Sequence, residues 1–285
     1  MHPVLFHLSG GAPVYAYGFM LGLAVVVGWN LSIVLAARGG LDAPRVAWGA
    51  GVIALLAILG SRLLHLIVNP AEWAHPAAWL DFGGGIVAYG GFLGGTLGAG
   101  LAFARTPAGF LRYADVVSPG VALGIGLTRI GCFLNGCDFG MPTARAWGVR
   151  FPRDRVLGPG LPVGWSPAWE QHYRTGASLG GETVTAASAW SLPVHPTQLY
   201  ESALGLALFV LLLALRRRRP FPGAVFLALV AGYGLGRAAI EAFRGDALRG
   251  LVLGLPTSQF LGLATAALAL SVAITLRGRH PSAVG

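Results

Sequence analysis

Lysine is missing altogether from these 285 residues, and all 20 basic side chains are arginine. Charge of either sign is scarce, at 11% of residues, where a soluble domain carries about 25%. That scarcity excludes an ordinary soluble enzyme and a disordered chain, both of which rely on charge to stay in water. Cysteine is nearly absent too. Cys132 and Cys137 are too few for a disulfide framework or a four-ligand zinc site. There is no HExxH helix and no internal repeat, so the usual zinc-protease signature is lacking. The absence of inverted repeats and of paired broken helices argues against a secondary transporter.

What remains is apolar: 55% of residues are hydrophobic and the mean hydropathy is +0.66. A spanning helix needs about 20 mostly apolar residues. Seven such stretches occur, at 14–37, 46–68, 83–104, 116–135, 199–215, 221–243 and 251–275. The expected fold is therefore an all-α integral membrane protein of about seven transmembrane helices, forming one polytopic domain over 1–285. The first stretch is not a cleavable signal peptide, because it lacks a basic leader and is followed by Arg38.

A net charge of +9 would point to nucleic acid in a soluble protein. In a membrane protein the same arginines report orientation instead, and no nucleic-acid partner is expected. Arg38, Arg45, Arg105, Arg112, the run Arg216–Arg219, Arg277 and Arg279 all fall in loops on one side. The positive-inside rule places that side in the cytoplasm, with the amino terminus outside and the carboxyl terminus inside. The long segment 136–195 then forms a small extracytoplasmic head between the fourth and fifth helices. Trp147, Trp165, Trp169 and Trp190 in it suit the headgroup depth of the outer interface.

Three arginines fall inside spans: Arg62, Arg129 and Arg237. Each costs about 2.5–3.5 kcal/mol at a helix centre on the insertion scale, so each asks for a reason. Arg62, near His65, reads equally as structural or functional. Arg237 has Glu241 four residues on and Arg244 beyond it, close to one helical face, so a structural ion pair is one reading. Arg129 has no acid within helical reach except Asp115, far below it. A guanidinium presents a planar fork that matches phosphate oxygens, and inside a bilayer that phosphate belongs to a lipid. His195-Pro-Thr-Gln-Leu-Tyr-Glu201 marks a polar entrance at the mouth of the fifth span. Cys132 and Cys137 lie about 140° apart on a helix and do not meet while both are helical. A disulfide stays open if Gly136 ends that helix.

The blocks RIGCFLNGCDFGMP at 129–142, AWGVRFP at 146–152, GGIVAYGGFLGG at 84–95, HPTQLYE at 195–201, YGLGRAAIEAFR at 233–244 and VYAYG at 14–18 occur in one order along most of the chain. Together they resemble the prolipoprotein diacylglyceryl transferases, integral enzymes of the bacterial plasma (inner) membrane. The resemblance implies transfer of a diacylglyceryl group from phosphatidylglycerol to the lipobox cysteine thiol of preprolipoproteins, with glycerol phosphate released. The implied partners are phosphatidylglycerol, preprolipoprotein signal peptides and the lipid bilayer, with no cofactor and no metal. By position, the catalytic residues carried over are Arg129, Arg237, Tyr89 and Glu241. Tyr17, Asn135, Gly140, His195, Gln198, Glu201, Tyr233 and Arg244 carry over as substrate-binding residues. Four positions depart from the family pattern: Tyr89 stands where a His is usual, Cys132 where an Asn, Cys137 where a Glu, and Met141 where an Arg. Asp138 is a one-residue shift from the missing acid. The departures also fit a paralogous transferase with the same lipid donor and another acceptor. A non-enzymatic phospholipid-binding protein is the rival from outside catalysis.

Overall fold

The computed structural model describes residues 1–70, 79, 88–106, 108–155, 164–218, 220–245 and 251–279. A short hairpin, β1 (Val4–His7) and β2 (Pro13–Tyr15), leads into α1 (Ala16–Arg38). Then come α2 (Ala43–Val68), α3 (Ala88–Phe103) and α4 (Phe110–Asn135). The segment after α4 carries the pairs β3 (Asp154–Arg155) with β4 (Gly164–Trp165) and β5 (Ser178–Leu179) with β6 (Glu182–Thr183), with α5 (Pro167–Thr175) between them. Next are α6 (Thr197–Arg218) and α7 (Ala224–Glu241). The hairpin β7 (Leu251–Val252) and β8 (Leu255–Pro256) precedes α8 (Thr257–Arg279).

Among the described residues six helices are long and apolar enough to cross a membrane: α1, α2, α4, α6, α7 and α8. The protein is thus a mostly helical, multi-pass membrane protein. The expected third span coincides with α3, 16 residues from Ala88; its predicted start at 83, like Arg219, lies outside the described residues. One boundary is corrected. The last span was expected from 251, but residues 251–256 form a hairpin. Leu253 and Gly254 both take positive φ, 51° and 79°, as a two-residue loop of the tightest type requires. That local turn overrides an unbroken apolar run.

The helix ends follow ordinary capping chemistry. Asp42 caps α2, its carboxylate accepting from the Arg45 amide at 3.1 Å, with proline in the first turn. In α5 the proline also sits in the first turn, and Gly176 closes the helix at φ 63°. Arginines crowd the last turns of α1, α6 and α8, where they meet the negative end of the helix dipole.

The chain divides into two compact units, one of 1–28 with 118–285 and one of 29–117. In the second, α3 packs along α2 through glycines. Gly90, Gly94 and Gly98 recur every fourth residue, so they share one face of α3. A Cβ at Gly94 would fall on the Leu56 carbonyl, and one at Gly98 would lie 2.9 Å from the Ile53 α-carbon. Phe103 stacks on Tyr113 at 4.7 Å, close to parallel. Arg62 is buried on α2 and lines an apolar cavity of about 550 Å³ with α3 residues Leu93 and Leu97.

In the first unit the helices meet at small residues as well. A Cβ at Gly205 on α6 would lie 2.6 Å from the Gly126 amide nitrogen on α4, and the Ser202 hydroxyl donates to the Gly126 carbonyl at 2.9 Å. Gly234 on α7 meets the Gly262 carbonyl on α8 in the same way. Leu208, Leu212, Val225 and Leu229 fill the core between α6 and α7, with Tyr233 packed against it. In the 136–195 segment Trp169, Val184 and Leu192 form a separate small core, and the Trp169 indole donates to the Ser188 carbonyl at 2.8 Å.

Candidate functional site

The site grows out of the end of α4. The chain leaves that helix at Gly136, whose φ of 78° is open to glycine at little cost. The Cys137 amide donates back to the Cys132 carbonyl at 3.2 Å and the Gly136 amide to the Phe133 carbonyl at 3.2 Å. This double closure is the Schellman motif, which brings the residue beyond the turn against the one three positions inside the helix end. Here those residues are Cys137 and Cys132. The helix does end at Gly136, the condition under which the two cysteines could meet: the turn folds one thiol back onto the other, and both are free cysteines.

Asp138 follows at φ 59°, a left-handed conformation that aspartate tolerates better than most residues. Its backbone carbonyl accepts from the Thr197 hydroxyl at the start of α6, at 2.7 Å. Its carboxylate splits between two arginines, Oδ2 on Arg129 at 2.8 Å and Oδ1 on Arg244 at 2.7 Å. Gly140 comes next, threaded between two other segments. Its amide donates to the His195 carbonyl at 2.9 Å, and Met141 donates to the Phe243 carbonyl at 2.8 Å. A Cβ at Gly140 would lie 2.5 Å from the first of those oxygens and 2.6 Å from the second, so only glycine fits.

Three arginines and three carboxylates converge here from different parts of the chain. Glu201, on the first turns of α6 and 1% exposed, is the centre. It pairs with the Arg129 Nε, with the Arg237 Nε at 3.2 Å and with the Arg244 Nη1 at 3.6 Å. These are ion pairs by distance, without the linear alignment of hydrogen bonds. Arg237 Nη1 also binds Glu241 one turn along α7, as its spacing predicted. Arg129 was expected to lack a counter-ion within helical reach. It finds two, because the turn at Gly136 returns Asp138 to it and α6 brings Glu201 alongside. The carboxylates occupy Nε and Nη1 of Arg129 and of Arg237. Exposure is graded: Arg129 and Asp138 are about a fifth exposed, while Arg244 and Glu201 are buried.

The other expected residues fall around this cluster. The Tyr17 hydroxyl, at the start of α1, lies in the field of Cys132, Cys137 and Arg129. Tyr233, on α7, lies in that of Glu201, Arg129 and Arg237. The Gln198 amide donates to the Cys137 carbonyl at 2.6 Å. Asn135 accepts from Arg155 at 2.5 Å and donates to the Cys137 sulfur at 3.5 Å. His195 contributes its backbone to Gly140, but its ring turns away, sharing a 3.0 Å hydrogen bond with the Tyr200 hydroxyl and lying 5.1 Å from the Phe243 ring. The Trp147 indole donates to the same hydroxyl at 2.8 Å. Tyr89 lies within α3, and its side chain is outside the described residues. Sequence reasoning underweighted Asp138, Thr197 and Arg155. The signal that could have found Asp138 is its place two residues after a helix-ending glycine.

Fold and site together define a polytopic membrane protein in which arginines and carboxylates from separate helices meet in one cluster. More particularly, the chain belongs to the prolipoprotein diacylglyceryl transferase family, whose sequence model matches residues 3–275. Among similar proteins is the phosphatidylglycerol–prolipoprotein diacylglyceryl transferase of Clostridium tetani, 33% identical over 93% of this chain and 94% of its own length. The Geobacter sulfurreducens protein of the same name is 33% identical over 97% and 96%. Clostridium perfringens has one named as transferase 2, 30% identical over 89% and 87%.

Proposed function

We propose that this chain moves the diacylglyceryl group of phosphatidylglycerol onto the lipobox cysteine thiol of a preprolipoprotein. The observation that supports it best is that Arg129 and Arg237, on separate helices, converge on the one buried carboxylate of Glu201. The attacking species is the acceptor's thiolate. Its sulfur forms a bond to the glycerol carbon that carries the phosphate ester. The carbon–oxygen bond breaks and its electron pair leaves with glycerol phosphate. Charge grows on that leaving phosphate, and preorganised donors aimed at developing charge, in a site poor in water, are the strongest catalytic device available to such a fold. Arg129 and Arg237 fill that role. Glu241, Glu201 and Asp138 hold the guanidiniums in place, and Arg244 ties Asp138 to Glu201. Tyr17, Asn135, Gly140, Gln198 and Tyr233 form the lining, with His195 contributing its backbone.

By the positive-inside rule, the arginine-rich helix ends support an orientation with the carboxyl terminus in the cytoplasm and the amino terminus and the 136–195 head outside. The site then opens toward the outer leaflet, where lipid donor and exported acceptor meet. The deciding experiment is mass spectrometry of a lipobox peptide incubated with purified protein and phosphatidylglycerol. A diacylglyceryl adduct on the cysteine, lost with Arg129→Ala, is the expected result; an adduct formed equally well by the variant would remove Arg129 from the mechanism. The departures at Tyr89, Cys132, Cys137 and Met141 favour one second reading, in which the same donor serves another nucleophile. Hydrolysis of phosphatidylglycerol with no peptide adduct would select it.

A further inference from the structure

Cys132 and Cys137 lie beside the charge cluster and take no part in its ion pairs. The Schellman turn at Gly136 sets them side by side. Cys132 is buried, Cys137 is partly open, and their sulfurs lie within 4.8 Å of each other and of an Asp138 oxygen. Two ligand chemistries suit such a group: a soft metal ion or two-electron oxidation. Asp138 decides between them. Both of its oxygens are held by arginines, Oδ2 by Arg129 and Oδ1 by Arg244, so the third ligand is committed elsewhere. A cation would also enter against three guanidiniums. Oxidation needs only the two sulfurs.

We propose that Cys132 and Cys137 form a dithiol site that exchanges with disulfides and, when oxidised, weakens the adjoining Arg129 anion site. The Cys137 thiolate attacks one sulfur of a donor disulfide, forming a mixed disulfide and releasing one donor thiol. The Cys132 thiolate then attacks the Cys137 sulfur and releases the second donor thiol. The two protons leave on the donor thiols, and the donor is reduced by two electrons. Cys137 is the first nucleophile because it is the more exposed. The Cys132 thiol, hydrogen-bonded to it, also holds its pKa down to about 7, and Asn135 supports it at 3.5 Å. The bond closes a short loop that the backbone has already closed by the Cys137 amide.

The readout is Arg129. Its Nη1 lies 3.8 Å from the Cys132 sulfur and donates to Asp138 at 2.8 Å. Drawing the Cys132 sulfur into a bond removes that contact and retightens the turn that carries Asp138. This consequence rests on the transferase reading above; the disulfide itself does not. If the site faces outward, it sits in the compartment where disulfides persist.

The test uses the full-length protein in phosphatidylglycerol-containing nanodiscs. It is treated with oxidised or reduced glutathione, alkylated with iodoacetamide, and divided for peptide mass spectrometry and turnover. The expected result is a peptide containing both cysteines that is lighter by two hydrogens and refuses the alkylating agent. Turnover falls, by up to about 100-fold for a catalytic group displaced by about 1 Å, and returns with dithiothreitol. Cys132→Ser and Cys137→Ser each give the same rate in both glutathione states, whatever that rate is. Alkylation of both thiols after oxidised glutathione, or a glutathione adduct that stays on Cys137, overturns the site. An intact disulfide with unchanged turnover overturns its control of Arg129. A protein that forms the disulfide but is inactive in both states leaves the dithiol standing and faults the transferase reading alone.

Discussion

Two regions of this molecule solve the problem of packing helices in opposite ways. Around Glu201, six charged side chains are gathered at the ends of apolar, membrane-length helices. Between α2 and α3 the contact is made by glycines at every fourth residue of α3, with backbone against backbone. The first region spends stability on charge that only a function repays, and it depends on each ion finding its partner. The second depends on having no side chain at all. A chain with so little charge to distribute has put most of its buried charge in one place, and that concentration is what marks the site.

This contrast can be broken most severely at Glu201. Glu201→Ala leaves Arg129, Arg237 and Arg244 without their shared carboxylate. Removing one partner of a buried ion group costs about 3–5 kcal/mol. We expect a large fall in the thermal unfolding midpoint in detergent together with loss of transfer. A midpoint within a degree or two of the parent would mean that water already screens the cluster. Next comes Arg129, which is more exposed, so its loss should spare the fold. Arg129→Lys keeps the charge but not the fork, and should cost about 100-fold in turnover, as removal of one transition-state donor does. Equal rates for Lys and Arg would show that charge alone suffices.

On the glycine side, Gly94→Leu should force the helices apart at the Leu56 carbonyl and destabilise by about 1–3 kcal/mol. Gly100, on the same helix with open space around its α-carbon, is the control. There an alanine should raise stability by about 0.4–1 kcal/mol through the unfolded chain. If both substitutions behave alike, the stripe is not a packing device.

The smallest effect lies outside both regions. The buried His172 ring accepts from the Leu192 amide at 3.3 Å, and burial lowers its pKa below the ordinary 6.5. The unfolded chain then binds the proton more readily than the folded one. The contribution to stability is complete above 6.5 and is lost as pH falls through and below that value. Unfolding midpoints measured from about pH 7 down to about pH 5 should decline, and His172→Gln should flatten the slope. A slope unchanged by the substitution would assign the acid sensitivity to other groups.

Hydropathy alone located the six long helices, with ends within about six residues, because spanning length and apolar content are local properties. The in-span arginines, the 195–201 block and the family itself were legible for the same reason: each is a run of residue types. Where local chemistry competed with hydropathy, the reading slipped. The apolar run from 251 begins as a hairpin because two residues there turn left-handed.

The amino-acid sequence by itself determined that this is a polytopic membrane protein, which arginines need explaining and which family the chain joins. Only the tertiary structure decided what those arginines touch. Asp138 reaches Arg129 through a chain reversal, Glu201 reaches it from a helix more than sixty residues away, and Cys137 meets Cys132 because one glycine takes a positive φ. The physical reason is that a side chain's identity is local, whereas the partner that neutralises a buried charge is chosen by how the helices pack.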